Sequence, residues 1–277
     1  MASRGSSWES APTSPLPAGP YLGDTGPPPG RGRPRRRRWL GRIVTVVVGL
    51  IVLAALGLGA LMLVTPSVGD AQARAQALDR QHHAAYPGPA VPSRFAAALV
   101  ATEDHRFYSE PGIDLFAIAR LIEGRLTGRA DQGGATLYQQ LAKMLYTPGR
   151  SGMTVEAEQV ALGIKLYLAY PKPQILRMYA DVAYFGNDYY GLGEASCGYF
   201  GVRPDRLSWP QAAMLAGLVQ APTAYDPITH LTAARARQSH VLSRLVATGR
   251  LSQAEASSAY RQPLDLIGGR PGTCPAR

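Results

Sequence analysis

The chain has 277 residues, a formal net charge of +10 and 17% charged residues. That length holds one sizeable domain with appendages. Residues 1–42 carry eight Arg and two acids, so most of the excess charge sits in one tail, and no nucleic-acid partner is expected.

The tail at 1–42 is rich in Pro, Gly, Ser and Arg and has almost nothing to bury. It reads as disordered and basic. Ile43–Val64 follows as 22 residues without a charge, Pro, Asn or Gln. A bilayer core needs about 20 such residues in a helix. Arginines abut its N-terminal side, which keeps the N-terminus cytoplasmic and sends residue 65 onward outside. A cleaved signal peptide would have a shorter apolar core, so a retained anchor is the reading.

Residues 65–90 read as a juxtamembrane linker, with "DAQARAQALDRQHHAA" helical and "YPGPAVP" a break. His82 and His83 are adjacent and point to different faces, which makes a poor metal site.

From Pro92 the pattern is helical to about residue 262. "PSRFAAALVATED" has Ser93 as N-cap, and "IDLFAIARLIEGRLTG" repeats apolar residues at i, i+3 and i+4. "ATLYQQLAKMLYT", "EAEQVALGIKLYLAY" and "KPQILRMYADVAYF" follow, the last with Pro173 in its first turn. "SWPQAAMLAGLVQ" and "SQAEASSAY" open with capping-box spacings, Ser208 with Gln211 and Ser252 with Glu255. "TAARARQSHVLSRLVATG" lies between them. No useful period-2 run occurs, so residues 91–262 are expected to form a mainly α domain. Residues 263–277 read as a flexible tail. Cys197 and Cys274 are the two cysteines. Outside the membrane they could pair, and the sequence leaves bridged and free states equally open.

Several chemistries drop out. None of the three lysines, Lys143, Lys165 and Lys172, follows a Ser by three residues, so there is no Ser-x-x-Lys nucleophile. No H-E-x-x-H, Cys/His cluster, Walker or dinucleotide pattern is present, and no metal ligand set is expected. Four segments remain: "EDHRFYSEPGID" at 103–114, "GGATLYQQLAK" at 133–143, "YPKPQILRMYADVAYFGNDYYGLGEASCGYFG" at 170–201 and "LSWPQAAMLAGLVQAPTAYDP" at 207–227.

In this order and spacing they resemble the family-51 peptidoglycan glycosyltransferases, over roughly residues 90–247. The first family motif is E-D-x-x-F-x-x-H-x-G-x-D; Glu103, Asp104, Phe107, Gly112 and Asp114 match, and Glu110 replaces the His. In G-G-S-T-I-T-Q-Q-L-x-K-N, Gly133, Gly134, Thr136, Gln139, Gln140, Leu141 and Lys143 match. The third region keeps Lys172, Ile175, Leu176, Tyr179, Phe185, Gly186, Tyr190 and Gly191, and departs at Pro171, Gln174, Arg177 and Asp181.

The resemblance implies a lysozyme-like helical glycosyltransferase domain at 91–262, preceded by a single transmembrane helix. It implies lipid II and the nascent glycan strand as substrates, the membrane as support, and other cell-wall synthesis proteins as candidate partners. The acceptor's 4-hydroxyl attacks the donor's anomeric carbon and undecaprenyl pyrophosphate leaves, with inversion to a β-1,4 bond. A sugar hydroxyl needs a base, and Glu103 is the candidate, with Asp104 orienting it or holding the sugar. Pyrophosphate needs charge neutralisation, by Lys143 first, Arg150 second, or a divalent cation such as Mg or Mn. Thr136, Gln139 and Gln140 would supply hydrogen bonds to substrate. Phe107, Tyr179 and Phe185 read as packing residues.

One family feature is missing. The second catalytic Glu belongs sixteen residues after Lys143 and thirteen before Lys172, and both counts land on Gln159. Glu158 is adjacent but about 100° around a helix. Three outcomes stand open: Glu158 substitutes, one carboxylate suffices, or the domain binds lipid II as an accessory protein without polymerising it.

Overall fold

The computed structural model describes residues 35–110, Thr127 and 135–267. The chain divides into two units, Met1–Ile51 and Val52–Arg277. Helix α1, Arg35–Val64, runs through the division. Its span Gly41–Val64 has a mean hydropathy of 2.8 and is unburied, long and apolar enough to cross a membrane.

Helices α2 (Ala71–Gln81), α3 (Ser93–Glu103), α4 (Leu137–Tyr146), α5 (Met153–Ala169), α6 (Lys172–Val182), α7 (Gly191–Phe200), α8 (Trp209–Leu218), α9 (Leu231–Ala247) and α10 (Gln253–Arg261) follow. Among the described residues there is no strand, only an isolated bridge between Tyr184 and Tyr190. The fold is mainly α, as its periodicities imply. The expected helix at 113–128 lies outside the described residues, Thr127 apart.

Helix α8 is the hub. Every residue from Pro210 to Leu218 is buried, and α3 and α9 pack along it. An element apolar on all sides needs cover on all sides. Its start is fixed by the expected Ser208–Gln211 box, and Ser252–Glu255 starts α10 in the same way. Helix α3 differs: its N-cap is Pro92, and Ser93 is the first helical residue without a capping bond. Proline suits that position because its missing N–H is not needed there.

Helix α7 has no clear periodicity, and Gly191, Gly193 and Gly198 weaken its propensity. Packing explains it. A Cβ at Gly198 would collide with the Tyr189 ring, and one at Gly193 would press on Pro89 at 3.3 Å.

Two segments expected to be loose are docked. The stretch 65–90 is not a free linker. Helix α2 buries Ala71, Ala75 and Asp79, four residues apart, and packs on α6. Lys165 Nζ donates to the carbonyls of Thr65 and Pro66 at 2.7 and 3.0 Å, and Tyr146 Oη donates to Asp70 at 2.9 Å. The start of the C-terminal tail is also fixed: the Ile267 amide donates to Tyr199 O at 3.0 Å and Leu264 is buried. Cys197 is disulfide-bonded; Cys274 lies outside the described residues.

The α2–α6 contact encloses two carboxyls. Asp79 and Asp181 are 1% and 5% exposed. Among the described residues neither Asp79 oxygen has a hydrogen-bond partner, nor has Asp181 Oδ2. Burial, then the charge of Asp181, pushes Asp79 up to about 7. Burial pushes Asp181 up to about 6, against the Gly88 amide and Arg177. Both folded values exceed those of the unfolded chain, so the native state holds protons that the unfolded state has released. Stability therefore falls as pH rises from about 4 to 7, and then levels. Thermal melts of the full chain in detergent across that range should show the fall. Asp79→Asn should flatten it and raise the melting temperature at pH 8.

Candidate active site

Helix α3 ends at the two carboxylates. Asp104 leaves the helical region at φ −155°, ψ 70°, and the two side chains separate. Asp104 is 5% exposed, and its Oδ2 accepts from the Leu137 amide at 2.9 Å. That amide is one of the unpaired donors of the first turn of α4. Asp104 thus ties the end of α3 to the start of α4.

Glu103 lines a cavity of about 350 Å³ with Thr102, Ala135, Gln140, Lys143, Met144, Tyr179, Val219, Gln220, Arg237 and His240. Its Oε1 accepts from Arg237 Nη2 at 2.8 Å, and its Oε2 from Gln140 Nε2 at 3.2 Å. Gln140 Oε1 accepts from Tyr179 Oη at 2.8 Å. Arg237 Nε reaches the Gly217 carbonyl at 3.3 Å. The side chains of Arg237 and Glu103 are 11% and 12% exposed.

Burial raises the Glu103 pKa above its ordinary value, and Arg237 and Gln140 pull it back. A base with raised affinity for a proton and donors that hold its charged form is suited to taking one. Burial, and then the charge of Glu103, raises Tyr179 well above the usual phenol range, so its hydroxyl stays a donor. Burial, then Arg237 and Arg244, lower His240.

A family model described as Transglycosylase matches residues 70–246. A relative from Cupriavidus necator, named as a transglycosylase, is 34% identical over 81% of this chain and 99% of its own length. Penicillin-binding protein 1A of Streptococcus pneumoniae is 36% identical over 63% of this chain and 25% of that protein. The chain belongs to the transglycosylase family. Its enzyme class is peptidoglycan glycosyltransferase. It spans a quarter or less of the penicillin-binding proteins it matches in Streptococcus pneumoniae and, at 19%, Escherichia coli.

The other transglycosylase candidates divide into three groups. Gln140 and Lys143 line the Glu103 cavity. Thr136 and Gln139 form the capping box that starts α4, so Thr136 Oγ1 and Gln139 Oε1 each accept from a backbone amide. Arg150 pairs with Glu158 at 2.8 Å, and Gln159 Nε2 donates to Thr147 Oγ1 at 2.8 Å. Neither Glu158 nor Gln159 lines the cavity.

A divalent cation does not fit these donors. Glu103 is the cavity's one lining carboxylate among the described residues, and Arg237 already holds it. No group of three or more His, Cys, Asp or Glu is assembled among the described residues.

Arg237 is the residue that motif reading misses. A signal was present. In α9 the buried residues are Ala234, Gln238, Val241, Leu242 and Leu245. Arg237 lies four residues before Val241, on that stripe, where a charge needs a partner.

The Asp104 contact gives a stability test. Asp104→Ala leaves the Leu137 amide without its acceptor and should cost about 1–3 kcal/mol, measured by denaturant unfolding. Asp104→Asn, which keeps an acceptor oxygen, should cost less.

Proposed function

We propose that this chain polymerises lipid II into β-1,4-linked glycan strands, with Glu103 as general base. The observation that carries the reading is the Glu103 carboxylate, held in a cavity by Arg237 and Gln140 with Lys143 on the same wall. The acceptor's 4-hydroxyl gives its proton to Glu103 as its oxygen bonds to the donor's anomeric carbon. The bond from that carbon to the pyrophosphate oxygen breaks, and the electron pair leaves with undecaprenyl pyrophosphate. One displacement inverts the centre, and no glycosyl-enzyme forms.

Pyrophosphate departs already charged, so it needs a cation rather than a strong acid. Lys143 is the cavity-lining candidate. Arg150 is a secondary one, and Glu158 would have to yield it first. Asp104 acts through the backbone that carries Glu103, while Thr136 and Gln139 shape the start of α4. The chemistry runs on one catalytic carboxylate, and Gln159 is not part of it.

The α1 span would anchor the chain as a single-pass membrane protein, with the basic N-terminus cytoplasmic and the catalytic domain outside, where lipid II presents its sugars. The nascent strand is the second substrate, and other cell-wall synthesis proteins are candidate partners.

Purified full chain in detergent, incubated with labelled lipid II, tests this. Wild type should form polymer. Glu103→Gln should lose it by at least ~10²-fold while retaining lipid II binding. Normal polymerisation by Glu103→Gln would overturn the base assignment. Binding without polymer by the wild type would favour the accessory-protein reading, which the position of Gln159 motivates.

A further inference from the structure

Tyr179 projects from α6 and is 2% exposed. Its ring fits a packing role, but its hydroxyl has a partner of its own. It donates to Gln140 Oε1 at 2.8 Å, its one acceptor among the described residues. We propose that Tyr179 is a positioning residue for the base: it fixes which end of the Gln140 amide faces Glu103. The inference rests on the reading of Glu103 as base.

The two ends of the Gln140 amide differ in what they offer. The carbonyl accepts, the NH₂ donates, and the two are nearly equal in size, so a flipped amide fills the same space. In the observed orientation Nε2 faces Glu103 Oε2 at 3.2 Å. A donor there supports the ionised carboxylate. In the flipped orientation the carbonyl would face Glu103, which only the protonated acid tolerates.

Tyr179 decides between the two. With the amide flipped, NH₂ would face the phenol oxygen and the O–H would have no acceptor. A buried hydroxyl left without one is costly. Gln140 Nε2 also lies 3.5 Å from the Ala135 carbonyl, at the outer limit of a hydrogen bond. The shorter Tyr179 contact is the firmer restraint. The hydroxyl therefore couples amide orientation to the charge of Glu103 and keeps the base in its proton-accepting form.

Other groups set the same pKa. Arg237 and His240 come from α9, Lys143 from α4, and Asp104 follows at the end of α3. Tyr179→Phe changes none of those charges and removes only the hydroxyl.

The test is the pH dependence of lipid II polymerisation by the full chain, with kcat and KM taken separately. Tyr179→Phe should move the acidic limb of kcat upward by about half a unit to one unit. Below the limb that is a loss of up to about tenfold in kcat, with KM little changed. Gln140→Leu removes the amide outright and should move the limb the same way. The double variant should move it no further than Gln140→Leu alone.

A uniform fall in kcat across pH with an unmoved limb would make Tyr179 merely structural and overturn the proposal. If Tyr179→Phe does not fold, an unmoved limb in Gln140→Leu overturns it equally. Glu103→Gln, run in parallel, separates the two levels. If it still polymerises, the base reading and this inference fall together. If it is inactive and both other variants keep the wild-type limb, only the role of Tyr179 falls.

Discussion

A carboxylate taken out of water must be met by donors, or it takes up a proton and stays neutral. Glu103 meets that demand with donors distant in sequence: Gln140, 37 residues on, and Arg237, 134 residues on. Removing one partner of a buried ion pair costs about 3–5 kcal/mol. The packing therefore has to bring three helices to one point. Helix α3 supplies the carboxylate, α4 the amide and α9 the guanidinium, while α8 underlies both α3 and α9. Burial and pairing oppose each other at Glu103, and burial prevails, leaving its pKa above the ordinary range.

The two adjacent carboxylates show how local geometry divides labour. Successive helical residues point about 100° apart, and the chain also turns at Asp104. One carboxyl faces the cavity and the other secures the start of α4. Thr136 and Gln139 in the glycosyltransferase motif serve that same helix start. Much of what a motif retains can be the shape of the site rather than its chemistry, and among the described residues of that segment the polar side chains that line the cavity are those of Gln140 and Lys143.

Local signals were legible in the sequence. The caps at Ser208 and Ser252, the apolar span of α1 and the place of Glu103 follow from spacing and motif. Long-range signals were not. Asp79 on α2 and Asp181 on α6 meet only because the helices pack, and composition alone makes 65–90 look like a linker. Helix α7 contradicts its own propensity because Tyr189 needs the space of Gly198. Arg237 was visible as a charge on an apolar stripe, but its partner lies on another helix. The missing second glutamate was legible as Gln159, and its bond to Thr147 directs it to a neighbouring hydroxyl rather than to the Glu103 cavity.

In the proposed mechanism one buried, paired carboxylate takes the acceptor's proton. A crystal structure of the chain with an unreactive lipid II analogue in the acceptor position tests it most directly. The sugar 4-hydroxyl is expected within about 2.6–3.2 Å of a Glu103 oxygen. An acceptor hydroxyl directed instead at Glu158, with Glu103 still closed by Arg237, would contradict it.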